Sequence, residues 1–393
     1  MKNSNITRYA SLVLVFGFFI SCTSSKFSAD KLINEGKYQE AIDKIDNELN
    51  KNPNSSLYYQ KGELHALLAQ EKSVDARESD YQSMAQSFDS AHVYGASMPD
   101  NSIETKMDSL TYYYWDIEHQ LGLSEYEENS TASITNATNH FNNAIIIDPS
   151  KIESYKSLSI SLYNMDDIDG AIEILEEAVS KKRTDTEVFE NLGFLYLEVG
   201  NPEQSISYYQ KGNQNPVKNK NIAYGLVNAY ISQNRTSEAT SFLSKLVQEY
   251  PNDSKLHNVY GTQLYNQVSL LFPNLNNAYS SNDTSTVSTL IVEIEGLSEN
   301  AENELIEAYK TDTSSVEYTE SLAVFYNNMS GNYFSTYDVA FNNNKNEIKS
   351  KALSLTDFAI TYYRKLIELN GDNASYSRKI DNLNSLKESW NNQ

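Results

Sequence analysis

The chain has 393 residues and a formal net charge of −22, with 53 acidic against 31 basic side chains and a single cysteine. So acidic a balance excludes a phosphate-tracking or anionic-lipid grip built on clustered Lys and Arg, and one cysteine excludes a disulfide framework and Cys-rich metal sites. At 39% hydrophobic residues the chain can bury a sizeable core, while few Gly (14) and Pro (7), abundant Asn and 29 Tyr suit long helices.

In chain order, the first predicted element is a processing segment. Lys2 and Arg8 precede the apolar run Leu12 to Ile20, which is shorter than the ~20 residues of a membrane span. It ends in Phe19-Ile20-Ser21-Cys22, which resembles the lipobox of bacterial lipoproteins, with Phe19 where Leu is commoner. The resemblance implies cleavage before Cys22 and acylation of that residue; two or more chains make an anchor stable where one does not. Loss of Lys2 and Arg8 takes the charge from −22 to −24. By the same analogy Thr23 in place of Asp favours the outer membrane. The absence of an acidic run in Thr23-Ser24-Ser25-Lys26 favours a periplasm-facing protein.

After a tether over 22–26, Phe27 begins a short helix, and Gly36-x-Tyr38-x-x-Ala41-x-x-x-Ile45 opens a second, with Pro53 beyond it. Met84, Phe88 and Ala91 keep helical spacing, as do Leu110, Tyr114, Ile117 and Leu121, with breaks expected near Met98-Pro99-Asp100 and from Gly122 to Asn129. A repeat then becomes explicit. Small residues stand 34 apart at Ala137, Ala171, Ser205 and Ala239. Leu158, Leu192, Leu226 and Tyr260 keep that phase, and so do Leu162, Tyr196, Tyr230 and Leu264. Further on, Ala301, Leu305, Ala308 and Ala359, Tyr363, Leu366 continue the small-large spacing, and a polar helix is predicted from Ala374 to Ser389. Two Asn-rich loops are predicted, Phe272 to Thr284 and Asn342 to Asn346.

Period and residues together resemble the tetratricopeptide repeat, a helix–turn–helix unit. Leu192-Gly193-x-x-Tyr196 matches its first helix, Gly200-Asn201-Pro202 its turn, and Ala137, Phe141, Ala144, Pro149 its second helix. The resemblance implies an all-α solenoid of about eight hairpins, several lengthened, closed by a capping helix. The expected divisions are a leader over 1–21, the tether over 22–26, lengthened hairpins over 27–130, a regular array over 131–264 and divergent hairpins with the cap over 265–393.

No metal, cofactor or catalytic constellation is expected. The five histidines are scattered, and no phosphate loop or nucleophile elbow is present. Asp167-x-Asp169-Gly170 with Glu176 mimics part of a calcium loop, but Met165 holds its first ligand position and the repeat puts a turn there. The remaining site is a groove of first-helix residues: Lys156, Tyr163, Glu190, Phe194, Tyr224, Asn228, Asn258, Thr262 and Tyr265. Families that grip a C-terminal carboxylate carry a Lys and Asn set there; Lys156 and Asn191 match, whereas Ile160 and Gly225 break it, so carboxylate clamping is not expected.

The expectation is a non-enzymatic outer-membrane lipoprotein scaffold that holds an envelope protein, as a peptide or a helix, in this groove, without nucleic acid. The alternative is glycan or nutrient capture beside a transporter, motivated by Tyr112-Tyr113-Tyr114-Trp115.

Overall fold

The computed structural model describes residues 29–95, 102–213, 215–371 and 374–392, and every regular element among them is helical. The leader, Cys22 and the break expected near Pro99 lie outside the described residues. The chain forms two compact units that divide between Ser157 and Leu158, within helix α7 (Ile152–Asn164).

The N-terminal unit is built from three hairpins: α1 (Ala29–Asn34) with α2 (Tyr38–Leu49), α3 (Ser55–Gln70) with α4 (Glu78–Gly95), and α5 (Ser102–Glu128) with α6 (Thr131–Ile147). The break expected from Gly122 to Asn129 falls at the far end of that range, because α5 runs on to Glu128. Gly122 is there for packing, since a Cβ on it would lie 2.6 Å from the Phe141 ring. The chain reverses at Asn129, whose φ is +52°, and Ser130 caps α6 by accepting from the Ser133 N–H at 3.1 Å.

In the C-terminal unit α7 pairs with α8 (Ile168–Ser180), α9 (Thr186–Glu198) with α10 (Pro202–Gly212), and α11 (Lys220–Ser232) with α12 (Thr236–Glu249). Two long hairpins follow, α13 (Ser254–Ser280) with α14 (Thr284–Thr311) and α15 (Val316–Val339) with α16 (Asn342–Asn370), and then α17 (Ala374–Asn391).

The 34-residue rows are the packing rows. Ala137, Ala171, Ser205 and Ala239 are each fully buried where the second helix meets the first. Small side chains allow this approach, and hydroxyls on the first helix use it: Ser159 Oγ donates to the Ala171 carbonyl and Ser330 Oγ to the Ala352 carbonyl, both at 3.0 Å. Tyr209 requires glycine on two helices at once, because a Cβ at Gly193 would lie 2.7 Å from its ring and one at Gly225 2.2 Å. Left-handed residues close the hairpins, Gly200 (+74°) in one but Asp166 (+62°), Asn234 (+54°) and Asn282 (+57°) in others. Asn and Asp tolerate that conformation, so a chain poor in Gly can still turn tightly.

Both predicted Asn-rich loops are helix instead. α13 continues through Pro273 to Ser280, leaving three residues before α14, and Asn342 to Asn346 form the start of α16. Proline inside a helix costs about 3 kcal/mol. Around Pro273, Phe272, Leu275, Ala278 and Tyr279 are all buried, and each large side chain contributes about 1.5–3 kcal/mol by burial. Burial prevails. Ile348 and Ala352 likewise anchor α16, whose Asn-rich first turn is only its polar end.

Candidate functional site

The face in question is carried by the first helices of the hairpins, α7, α9, α11, α13 and α15. Its residues separate into three kinds. Tyr163 on α7 and Phe194 on α9 meet edge to face, with ring centroids 5.4 Å apart. Phe194 remains 40% exposed and neighbouring Ile160 41%, so apolar area is left open to a partner.

A second group is polar and centred on Tyr224, which is half-buried on α11. Its hydroxyl donates to Asp253 Oδ2 at 2.8 Å, and Lys220 Nζ reaches the same oxygen at 2.6 Å. Burial disfavours the Asp253 carboxylate, but bonds from Lys220, Tyr224 and the Leu256 N–H outweigh it and hold the group below its ordinary value. The Lys220 and Lys255 ammonium groups each stand 5.8 Å from the Tyr224 ring centroid. Lys220 is neutralised by Asp253. Lys255 has no carboxylate partner among the described residues and is exposed.

The third group belongs mostly to the interior. Asn258 is 6% exposed and donates through Nδ2 to Glu317 Oε1 at 3.2 Å, while its Oδ1 is buried without a partner. Thr262 donates back to the Asn258 carbonyl at 2.8 Å, and Tyr265 packs its ring against Phe325 at 5.7 Å. These side chains tie α13 to its own backbone and to α15. Glu190 is half-buried and accepts a long 3.5 Å bond from Asn219; Asn228 is exposed. Lys156, in the N-terminal unit, is half-buried with interactions of its own. Lys220, Asp253 and Lys255 fall outside the residues expected from sequence because they sit at helix starts and not in the mid-helix rows; Asp253 is the N-cap of α13, as Asp185 and Asn219 are of α9 and α11.

Residues 196–261 match the family model of the tetratricopeptide repeat. The chain carries a tetratricopeptide-repeat segment there. Its fold is the all-α solenoid of that repeat, a protein-interaction fold. No curated protein matches it in sequence. Solved structures similar to it include MamA (16% identity, 52% of this chain and 95% of that one, TM-score 0.39). YrrB, described as a TPR protein with an unusual peptide-binding site, shares 15% over 53% and 89% (TM-score 0.38). PilF of Pseudomonas aeruginosa shares 13% over 68% and 97% (TM-score 0.43).

Within the repeat protein the other candidate residues have structural tasks. Asp167 Oδ1 accepts from the Gly170 N–H at 3.0 Å, capping α8, and Glu176 accepts from the hydroxyls of Tyr196 (2.5 Å) and Tyr208 (3.0 Å), so the calcium-like string is a turn and a helix face. Trp115 is 8% exposed; its indole N–H donates to Ser154 at 2.9 Å and its ring stacks on His119. That leaves no open indole face for a sugar. Four histidines meet carboxylates, His65 with Asp80, His92 with Glu104, His140 with Glu118 and His257 with Glu304. No group of three metal-ligating side chains is present among the described residues.

Proposed function

We propose that this tetratricopeptide-repeat protein is an acyl-anchored outer-membrane lipoprotein, facing the periplasm, that holds another envelope protein on its first-helix face. It acts as an adaptor, with no chemistry of its own. The observation that carries the reading is that the first helices bear two unsatisfied features: the exposed Phe194 and Ile160 with half-buried Tyr163, and the unneutralised Lys255 close to Tyr224 in a chain of charge −22. An apolar anchor with a carboxylate nearby, presented by a peptide or helix, satisfies both, since aromatic anchors in such patches dominate binding while flanking charges set orientation.

The lipobox-like Phe19-Ile20-Ser21-Cys22 motivates the anchor. Labelling cells with an alkynyl fatty acid should mark the wild-type protein in the outer-membrane fraction and leave a Cys22→Ser variant unlabelled. Label that persists in the variant contradicts the anchor. For the alternative of glycan capture, Trp115 is buried and already bonded, while Tyr112 and Tyr113 of the same run stay exposed.

A further inference from the structure

Away from the repeat face, the two long hairpins of the C-terminal unit enclose a cavity of about 40 Å³ among α13, α14, α15 and α16. One water needs roughly 10–15 Å³ by this measure, so the space admits a group of a few heavy atoms. Its walls are the buried Leu275, Ile294, Ile348 and Tyr333. Glu295 and Glu347, both exposed, mark its mouth.

Tyr279 lines this cavity, is 2% exposed, and its hydroxyl has no hydrogen-bond partner. Its ring is fixed edge-on to Phe341, with centroids 4.9 Å apart. A buried hydroxyl without a partner is costly, whereas an apolar ring of the same shape is not. Phenylalanine would fill the position without that cost. Burial pushes the Tyr279 hydroxyl up, so it stays neutral and able to donate.

The remaining polar groups narrow what could accept that proton. Lys351 is occupied: its ammonium is 2.8 Å from Glu295 Oε1 and 5.2 Å from the Tyr333 ring centroid. Thr336 is occupied as well, donating to Asn276 Oδ1 at 2.7 Å. Two carboxylates against one ammonium leave the mouth net negative, which opposes an anion. A ligand ammonium would satisfy Glu347 but offers no lone pair to the phenol.

We infer that the cavity between the two long hairpins is a binding site for a small neutral amphiphile, a short alkyl chain ending in an alcohol or carbonyl oxygen that accepts from Tyr279. The chain lies along Leu275, Ile294 and Ile348. This site is independent of the repeat face and of its partner. Both predicted loops turn out to form it, since Tyr279 comes from one and the start of α16 follows from the other.

The test uses the full chain with labelled isoleucine methyl groups, titrated separately with 1-propanol, acetate and propylammonium, which match the size of the cavity. Saturable shifts of the Ile294 and Ile348 signals with 1-propanol, weaker shifts with both ions, and about fivefold weaker propanol binding in Tyr279→Phe are expected. The variant should melt no lower than the wild type, which separates lost binding from lost folding. Unchanged propanol affinity in Tyr279→Phe, tighter binding of either ion, or no saturable shift in a folded protein overturns the assignment. An Ile294→Phe variant, which fills the cavity, should abolish the shifts at Ile348; retention of them also overturns it.

Discussion

Hairpins α3 to α6 and hairpins α13 to α16 are both lengthened and both have aromatic cores, yet among the described residues only the first buries carboxylates. In the first, Glu118 is fully buried and accepts from Arg77 Nη1 at 2.7 Å and from Tyr81 Oη at 2.7 Å, while its other oxygen meets His140 Nδ1 at 2.7 Å. Asp80, 5% exposed, holds His65 and Lys72 beside it. In the second, rings meet rings: Phe272 with Tyr333 at 5.2 Å, Phe334 with Trp390 at 4.5 Å, and Tyr326 with Tyr362 at 5.6 Å. A charged interior fixes one arrangement because every partner must be present, whereas an aromatic one tolerates the loss of a single group. The aromatic interior has room left in it.

The largest effect should come from breaking the charged interior. Glu118→Ala leaves Arg77 and His140 buried without their acceptor, and a loss of about 3–5 kcal/mol is expected in urea unfolding. A loss below that of the aromatic substitutions would end the contrast. Acid should separate the regions next. Burial holds His65 and His119 below the ordinary 6.5, so the folded state binds fewer protons than the unfolded chain, and stability present above about pH 6.5 falls as pH drops through it.

Glu118 adds to this. Burial alone would raise it, but bonds from His140 and Tyr81 and the nearby Arg77 charge bring it below 4.5, so its contribution is lost at still lower pH. Glu63, raised by burial, works the other way. In the aromatic region Lys351 is desolvated, yet Glu295 and Tyr333 raise it above 10.5, and its contribution is lost only as pH rises through the folded value. Hydrogen exchange of the intact protein from pH 7 to 5 should therefore show α3 to α6 opening before α13 to α16; the reverse order contradicts the comparison.

Smaller effects sharpen it. Tyr326→Phe removes one bond to the half-buried Glu302, and should cost about 1 kcal/mol or less in the same unfolding assay. Ser205→Ala should stabilise the chain by a fraction of a kcal/mol to about 1 kcal/mol, because Ser205 Oγ is buried without a partner at a position where other repeats carry Ala. A fall in melting temperature would mean that the hydroxyl has a partner.

The repeat and its close crossings were legible in sequence, since small residues at 34-residue spacing are the direct mark of helices that touch. Ala171 and Ala239 are as buried as their phase requires. Lengthened helices were less legible. Pro273, Gly122 and the Asn run at 342–344 all read as breaks, because local propensity cannot register that Phe272, Phe141 or Ile348 packs opposite. The face residues were legible in part: Ile160 and Phe194 stand 34 residues apart and Tyr163 meets Phe194, while Asn258, 34 residues after Tyr224, is in phase but is taken up by α15. The Glu118 network escaped notice because its members, from residue 70 to 140, meet only through tertiary packing.

The claim that the first-helix face binds a protein is tested most directly by site-specific photo-crosslinking in the native envelope. A photoreactive residue at Phe194, and another at Tyr224, should each give one discrete adduct with the same protein. A residue at Val292, 71% exposed on α14, should give none, and Lys255→Glu should weaken the Phe194 adduct. Equal adducts from Val292, or none from Phe194 and Tyr224 in a folded and membrane-bound protein, would contradict the account.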